Sequence, residues 1–262
     1  MMNSPFSISP NPAYLYLTPS LKAVLHKVRF TIDRRQGLTC VLGDIGMGKS
    51  SVLRLLYGEY ASREDSLAAL IPTPSFASDF AFLKALCGEF DILPKRSLYD
   101  QEQAFRGFLV DSFEKGTNVV FFIDESQRLN PKMLELIRTM LNFETNQAKL
   151  IQFVLAGQIE LRENLLDPSK KAIRSRIFAP STLDPLTLGE TRAMISFRCE
   201  HAEIKNPFSD LQVDKIYEVS GGIPREVLKI CHVAHELSLL QGEKTVSLET
   251  VNQAISEAVF HV

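Results

Sequence analysis

Short apolar runs alternate with amphipathic stretches along the first 185 residues of the chain. The apolar runs have the usual length of a buried strand, and they cover residues 38–42, 67–71, 119–124, 150–156 and 177–182. Between them, apolar positions recur at helical spacing over residues 49–60, 77–90, 98–115, 132–141 and 159–165. Strands that alternate with helices predict an α/β fold, with a parallel sheet sandwiched by helices.

The strand pattern stops after Pro185, and the remaining residues have helical spacing only. We predict helices over residues 189–203, 210–219, 224–241 and 247–260. Residues 1–17 are rich in proline, asparagine and aromatic residues, and a cap at residues 18–20 then favours a helix to about Arg35. The pattern predicts an extended N-terminal arm (1–17), an α/β core (18–185) and a small all-helical lid (186–262).

The turn after the first predicted strand reads GDIGMGKS over residues 43–50. This is a complete G-x-x-x-x-G-K-[ST] phosphate loop in its proper context of strand, turn and helix. The backbone N–H groups of such a loop bind phosphates, its lysine bridges the terminal phosphates, and its hydroxyl holds Mg2+. The alternative is a glycine-rich turn that binds nothing. The predicted binding residues for a nucleoside triphosphate are Gly43, Asp44, Ile45, Gly46, Met47, Gly48, Lys49, Ser50 and Ser51.

Two carboxylates end the third predicted strand, at Asp124 and Glu125. In a phosphate-loop enzyme, Asp124 would hold Mg2+ together with Ser50, and Glu125 would act as general base toward the attacking water. The carboxyl end of a strand is also where doubly wound sheets bind their ligands. A buried strand that meets solvent with two acids is the alternative, and the phosphate loop earlier in the chain argues against it.

Four further polar residues are candidates for the same chemistry. Gln158 follows the fourth predicted strand and would orient the water or contact the terminal phosphate, unless it is a loop residue without a role. Arg174 and Arg176 lie in a basic segment, where either an arginine finger or a solvated helix face explains them. Arg225 begins a helix of the predicted lid and would contact the nucleotide, whereas the alternative is a surface cation.

Composition and charge narrow the class of protein. The 262 residues are 45% hydrophobic and 23% charged with a net charge of −2, which gives no overall attraction to nucleic acid or anionic lipid. Residues 20–60 nevertheless carry seven lysines and arginines against three acids, which suggests phosphate contacts or a solvated helix face. The four cysteines are far apart and lie mostly in apolar runs, as in a reducing compartment, and the cluster of Cys231, His232 and His235 lacks the second paired element of a metal site. With no apolar run of 18 residues and no secretion signal, we expect a cytoplasmic protein.

With these motifs in place, the chain resembles an AAA+ ATPase of the ExeA/GspA type over nearly its whole length. Four segments carry the resemblance: residues 5–17 (PFSISPNPAYLYL), 123–127 (IDESQ, for D-E-A-Q), 156–161 (AGQIEL, for G-Q-P-E-L) and 221–225 (GGIPR, the sensor-2 motif). The resemblance implies a P-loop NTPase fold of the AAA+ kind and an ATP-driven homo-oligomer, a ring or a filament, with its arginine finger acting in trans. Secretion-type members continue into a membrane span and a cell-wall-binding region, which this sequence lacks. A stand-alone ATPase is therefore expected, similar to the transposition regulators of the TnsC, TniB and IstB kind.

Three functions follow from this resemblance. The leading hypothesis is an ATPase whose oligomer loads on double-stranded DNA and recruits a transposase. The second is an ATPase for the assembly of a secretion or pilus machine, acting through a separate envelope partner. The third is a nucleotide-bound scaffold that barely hydrolyses ATP, and the presence of Glu125 argues against it.

Overall fold

The computed structural model describes residues 5–258, which divide into two compact units. The sheet unit comprises residues 21–44 and 52–183. The helical unit comprises residues 5–20, 45–51 and 184–258, so three separate stretches of the chain form it. Among the described residues, no helix is both long enough and apolar enough to cross a membrane.

The sheet unit is built on a five-stranded parallel sheet with the order β2-β3-β4-β1-β5. Its strands are β1 (Leu38–Leu42), β2 (Ser66–Ile71), β3 (Asn118–Ile123), β4 (Ile151–Gly157) and β5 (Ser181–Thr182). The first four agree with the predicted strands to within one residue at either end. All residues of β1, β3 and β4 are buried, as expected for central strands of a sheet that is covered on both faces.

The fifth predicted strand, residues 177–182, is wrong in its extent. Only Ser181 and Thr182 pair with β1 as a strand, and Ile177 forms an isolated bridge with Leu38. The backbone is interrupted between them because Ala179 has a positive φ of 47°. Pro180, which follows, has no N–H to donate to a neighbouring strand. An apolar run alone does not reveal this break.

The helices follow the predicted order closely. They are α1 (Pro19–Asp33), α2 (Lys49–Ala61), α3 (Asp79–Gly88), α4 (Leu98–Glu114), α5 (Pro131–Met140), α6 (Ile159–Leu166), the single turn α7 (Lys171–Arg174), α8 (Leu188–His201), α9 (Asp210–Ser220), α10 (Pro224–Leu240) and α11 (Leu248–Ala258). Side-chain caps define several starts: Ser78 accepts from the Ala81 N–H, Ser97 from Asp100 and Asn130 from Met133. The last two residues of the helix predicted over 247–260 lie outside the described residues.

Neighbouring residues of β3 show that helices cover both faces of the sheet. The ring of Phe121 packs against Phe105 of α4, with 6.2 Å between ring centroids. The ring of Phe122 points to the opposite face, where it packs against Tyr57 and Tyr60 of α2. The predicted arrangement of a parallel sheet between two helical layers is therefore confirmed.

The helical unit has a core of its own, to which the N-terminal segment contributes. Phe6 is fully buried, and its ring packs edge-on against Phe208 at 5.5 Å and against His235 at 5.7 Å. Residues 12–14 form a short 3-10 helix, while residues 1–4 of the predicted arm lie outside the described residues. The sequence pattern predicts an extended conformation here but gives no indication that Phe6 is part of a core.

Arg198 of α8 fixes this N-terminal segment. Its guanidinium is buried and donates to the carbonyl oxygens of Pro5 at 3.2 Å and Ser7 at 3.0 Å. The same group lies over the ring of Tyr14, 5.7 Å from its centroid. Burial lowers the pKa of Arg198 to about 10. This value is still above neutral pH, so the side chain remains a cation. The stability of its buried charge therefore depends on these partners.

Candidate functional site

The phosphate loop connects the end of β1 to the start of α2. Gly46 and Gly48 have φ angles of +84° and +90°, which glycine adopts without strain and other residues rarely do. A Cβ added at Gly48 would have no atom within 4 Å, so the space in front of this backbone is open. Lys49 follows as the first residue of α2 and is only 8% exposed. A loop with this backbone conformation, with open space before the N-terminus of a helix, can bind a phosphate group through its N–H groups.

The phosphate loop is packed against the start of α10 within the helical unit. The Arg225 N–H donates to the carbonyl oxygen of Gly46 at 3.2 Å. A Cβ built at Gly46 would lie 2.9 Å from Ile223 Cγ2 and 3.0 Å from Arg225 Cβ. Gly46 therefore serves two purposes, because it provides a positive φ and also leaves room for Ile223 and Arg225. Arg225, predicted to contact the nucleotide, lies directly beside the loop.

The GGIPR run (residues 221–225) is held in place at its first residues by the backbone of Leu186. Gly222 has a φ of +75°, and a Cβ at this position would lie 2.0 Å from the carbonyl oxygen of Leu186. The carbonyl oxygen of Gly222 accepts from the Leu186 N–H at 2.9 Å. The second glycine of the GGIPR run is thus required by a close backbone contact.

Three strand ends meet at the carboxyl edge of the sheet. In the observed register Leu42 of β1 pairs with Gly157 of β4, and Leu155 of β4 pairs with Ile123 of β3. Gly43 and the acids after β3 are therefore separated by one intervening strand, or roughly 10 Å at about 4.8 Å per strand. This edge is where parallel α/β sheets bind ligands.

The two acids differ in their local geometry. Asp124 is 8% exposed, its N–H donates to the carbonyl oxygen of Ile71, and its Oδ1 accepts from the Glu125 N–H, both at 2.9 Å. Glu125 is half-buried and has the left-handed angles φ 50° and ψ 36°. A non-glycine residue in this conformation costs about 1–2 kcal/mol, and such strain is concentrated at functional sites.

Gln158 is the N-cap residue of α6, and its N–H donates to Oε1 of Gln127 at 3.2 Å. The other end of the Gln127 amide donates from Nε2 to Oε2 of Glu125 at 2.6 Å. The sequence motifs did not single out Gln127 as a site residue. The available signal was its position two residues after Glu125.

Both candidates for the arginine finger bind groups of their own chain. Arg174 donates to the carbonyl oxygens of Leu165 at 3.2 Å and Leu166 at 2.8 Å, at the carboxyl end of α6. Arg176 donates to the Ala172 carbonyl at 2.8 Å and to Asn142 Oδ1 at 2.9 Å. An arginine finger would therefore have to exchange these hydrogen bonds for contacts with a neighbouring subunit.

The chemistry of Ser50 and Asp124 fits Mg2+. The ion prefers oxygen ligands and is usually held by one or two protein groups, with water and phosphate oxygens completing its shell. Residues 5–258 contain no group of three or more His, Cys, Asp or Glu side chains that could hold a metal. Burial raises the pKa of the Cys231 thiol.

A family model described as "AAA domain" matches residues 32–165, just over half of the chain. General secretion pathway protein A of Aeromonas hydrophila is 32% identical over 266 residues, covering 98% of this chain and 46% of that protein. The chain thus spans about half the length of this curated relative.

Solved structures share the fold at low sequence identity. Cdc6p from Pyrobaculum aerophilum superposes with a TM-score of 0.73 at 20% identity, over 98% of this chain and 71% of that one. The Aeropyrum pernix ORC1 protein, solved in complex with DNA, has a TM-score of 0.70 at 16% identity, over 97% and 69%. RuvB of Thermotoga maritima, a Holliday junction branch migration motor, has a TM-score of 0.59 at 16% identity, over 94% and 73%. These matches, together with the C-terminal helices, confirm the predicted fold class.

Proposed function

We propose that this chain, which belongs to the AAA family, binds and hydrolyses ATP as a nucleotide-controlled oligomer. The premise is its likeness to AAA+ proteins of the ExeA/GspA type. The observation that carries the proposal is the phosphate loop itself. Its two glycines have positive φ angles, a buried lysine begins the helix that follows, and the strand acids lie on the same sheet edge as the strand from which the loop departs.

Each residue of the motifs has a role in this proposal. The loop N–H groups and Lys49 bind the β- and γ-phosphates of ATP, while Ser50 and Asp124 would hold Mg2+. The bound ion would neutralise charge on the phosphate oxygens. Glu125 accepts a proton from the attacking water, whose oxygen bonds to the γ-phosphorus as the bond to the β-phosphate oxygen breaks. The products are ADP and phosphate.

The remaining candidates would respond to the nucleotide. Gln158 would orient the water or contact the γ-phosphate. Arg225, whose N–H already binds the carbonyl oxygen of Gly46, would pass changes in the phosphate loop to α10. Arg174 or Arg176 would serve a neighbouring subunit as the finger that stabilises developing charge.

Two substitutions test the ATPase proposal. Lys49→Ala should abolish ATP affinity in a nucleotide-binding titration, whereas Lys22→Ala, which removes an exposed lysine, should not change it. Glu125→Gln should bind ATP normally but stop phosphate release, with exposed Glu163→Gln as its control. Unchanged ATP affinity in Lys49→Ala would contradict the binding proposal, and normal hydrolysis in Glu125→Gln would remove Glu125 as the base.

The finger is tested by mixing inactive subunits. Arg174→Ala or Arg176→Ala should lose hydrolysis if that residue acts in trans. Mixing the affected variant with Lys49→Ala should restore activity, because an intact finger then faces an intact phosphate loop. If both arginine variants hydrolyse ATP at the wild-type rate, neither residue is the finger.

For the pathway, similarity to general secretion pathway protein A favours the assembly of a secretion or pilus machine. In a cell that lacks this chain, assembly of such a machine should fail. A wild-type copy should restore assembly, and a Lys49→Ala copy should not. Normal assembly in the deletion strain would argue against this pathway.

Regulation of transposition on double-stranded DNA is the second candidate, motivated by the basic stretch of residues 20–60. The structure gives several of these cations other partners: Arg29 forms an ion pair with Glu59 at 2.9 Å, and Arg35 lies over the ring of Phe113. If ATP-dependent binding to duplex DNA is absent at low salt, where phosphate contacts are strongest, this candidate fails.

A further inference from the structure

Gln127 forms hydrogen bonds with residues that follow two strand ends of the sheet unit. It lies in the single 3-10 turn Ser126–Arg128, which directly follows Glu125. Ser126 is fully buried, and its hydroxyl donates to the carbonyl oxygen of Ile123 at 2.8 Å. This contact fixes the turn to the end of β3, so the Gln127 side chain starts from a defined position.

Both ends of the Gln127 amide are used. Nε2 donates to Oε2 of Glu125 at 2.6 Å, a short bond to an ionisable partner, and Oε1 accepts the N–H of Gln158 at 3.2 Å. The amide group is the only part of a glutamine side chain that forms hydrogen bonds, and it can donate and accept at once. Glutamate at this position would keep the acceptor and lose the donor, whereas methionine would lose both.

Gly157 makes this approach possible. A Cβ at Gly157 would lie 3.2 Å from Gln127 Oε1 and 2.6 Å from Leu161 Cδ2. Gly157 is also the residue of β4 that pairs with Leu42, directly before the phosphate loop. The Gln127 bridge therefore connects the acid after β3 with the strand end that adjoins the loop.

We infer that Gln127 is a positioning residue that holds the Glu125 carboxylate and couples its orientation to the β4 end at Gly157–Gln158. The inference rests on the proposed role of Glu125 as general base. When the Gln158 N–H moves, the amide that binds it must turn, and the donor directed at Glu125 turns with it. Displacement at the end of β4 thereby changes the direction of the base without any contact between Gln158 and Glu125.

The test compares Gln127→Met and Gln127→Glu with Arg128→Gln, an exposed neighbour in the same turn. Loss of a hydrogen bond to a charged group predicts a fall in kcat of about 10- to 100-fold in both Gln127 variants. ATP affinity should stay within about twofold of the wild type, because Gln127 is not a binding residue in the proposal. Arg128→Gln should hydrolyse ATP at the wild-type rate.

Hydrogen exchange of the Gln158 amide, measured without nucleotide, supplies a readout independent of activity. Gln127→Met should accelerate this exchange, because the acceptor is lost, whereas Gln127→Glu should preserve protection. A double-mutant cycle then asks whether Gln127 acts through the base. In the Glu125→Gln background, Gln127→Met should cause no further loss of residual hydrolysis.

Two results would overturn the inference: wild-type kcat in both Gln127 variants, or the same fold-loss in the Glu125→Gln background as in the wild type. Failure of the proposed function would look different, since the wild type would not hydrolyse ATP or Glu125→Gln would be fully active. If Gln127→Met fails to fold, the kcat of Gln127→Glu alone tests the inference, and a wild-type value would overturn it.

Discussion

Replacing Gly46 by alanine tests whether the phosphate loop depends on its contact with the start of α10. Gly46 and Gly48 have nearly the same φ, +84° and +90°, but only Gly46 has neighbours in the space that a Cβ would occupy. Gly48→Ala is therefore a matched control. It introduces the same backbone strain without the steric contact.

The magnitude follows from these two terms. A left-handed backbone costs a non-glycine residue about 1–2 kcal/mol, and both variants share this cost. Gly46→Ala adds contacts of 2.9 Å to Ile223 Cγ2 and 3.0 Å to Arg225 Cβ. Since the added Cβ cannot rotate away, Ile223, the start of α10 or the loop itself must shift, and overpacking of this kind costs about 1–3 kcal/mol. This steric cost of about 1–3 kcal/mol is the expected difference in the free energy of unfolding between Gly46→Ala and Gly48→Ala.

Urea unfolding followed by far-ultraviolet circular dichroism, without nucleotide, measures the difference. Gly46→Ala should unfold at lower urea than Gly48→Ala, with an unchanged slope. Ile223→Ala in the Gly46→Ala background should recover part of the loss, because the closest neighbouring atom is removed. Equal stability of Gly46→Ala and Gly48→Ala would refute the reasoning, since the steric term would then be absent.

Three further predictions concern the helical unit and the metal. Phe6→Ala should lower the free energy of unfolding by about 3–5 kcal/mol, measured by the same urea titration, while Ile8→Ala, at a position 55% exposed, should leave it nearly unchanged. Burial lowers the pKa of His235 below its usual 6.5, and its Nδ1 has no hydrogen-bond partner within residues 5–258, so the unfolded chain takes up the proton first as pH falls. Stability should therefore decrease as pH falls through about 6.5, and His235→Gln should flatten this dependence in unfolding measurements at pH 5–8. Ser50→Ala should raise the Mg2+ concentration that gives half-maximal ATP hydrolysis, and an unchanged Mg2+ titration would remove Ser50 as a ligand.

The order of strands and helices could be predicted from the sequence because it is encoded locally. The phosphate loop is a contiguous motif between a buried strand and a helix. Asp124 and Glu125 come directly after the apolar run of β3. The end of α1 shows the limit of such patterns. The helix stops at Asp33, two residues before the predicted Arg35, which has a positive φ of 49°. Polar composition does not reveal where a chain adopts that conformation.

The contacts that could not be predicted join residues far apart in the chain. Gln127 was visible as part of the IDESQ motif, but its role depends on the N–H of Gln158, which lies 31 positions later. The close approach of Gly222 to Leu186 also exists only in three dimensions. Periodicity reports which face of an element is buried, and it contains no information about which partner covers that face.

The hydrogen bonds of Arg198 to the N-terminal segment have a consequence for biosynthesis. Pro5 leaves the ribosome 193 positions before Arg198 does. At about 5–20 residues per second, translation of that interval takes roughly 10–40 s. Throughout this time Phe6 is without the partners that bury it, whereas the strands of the sheet unit have all been synthesised by residue 182. The nascent chain can therefore complete its sheet while Phe6 still lacks the residues that bury it.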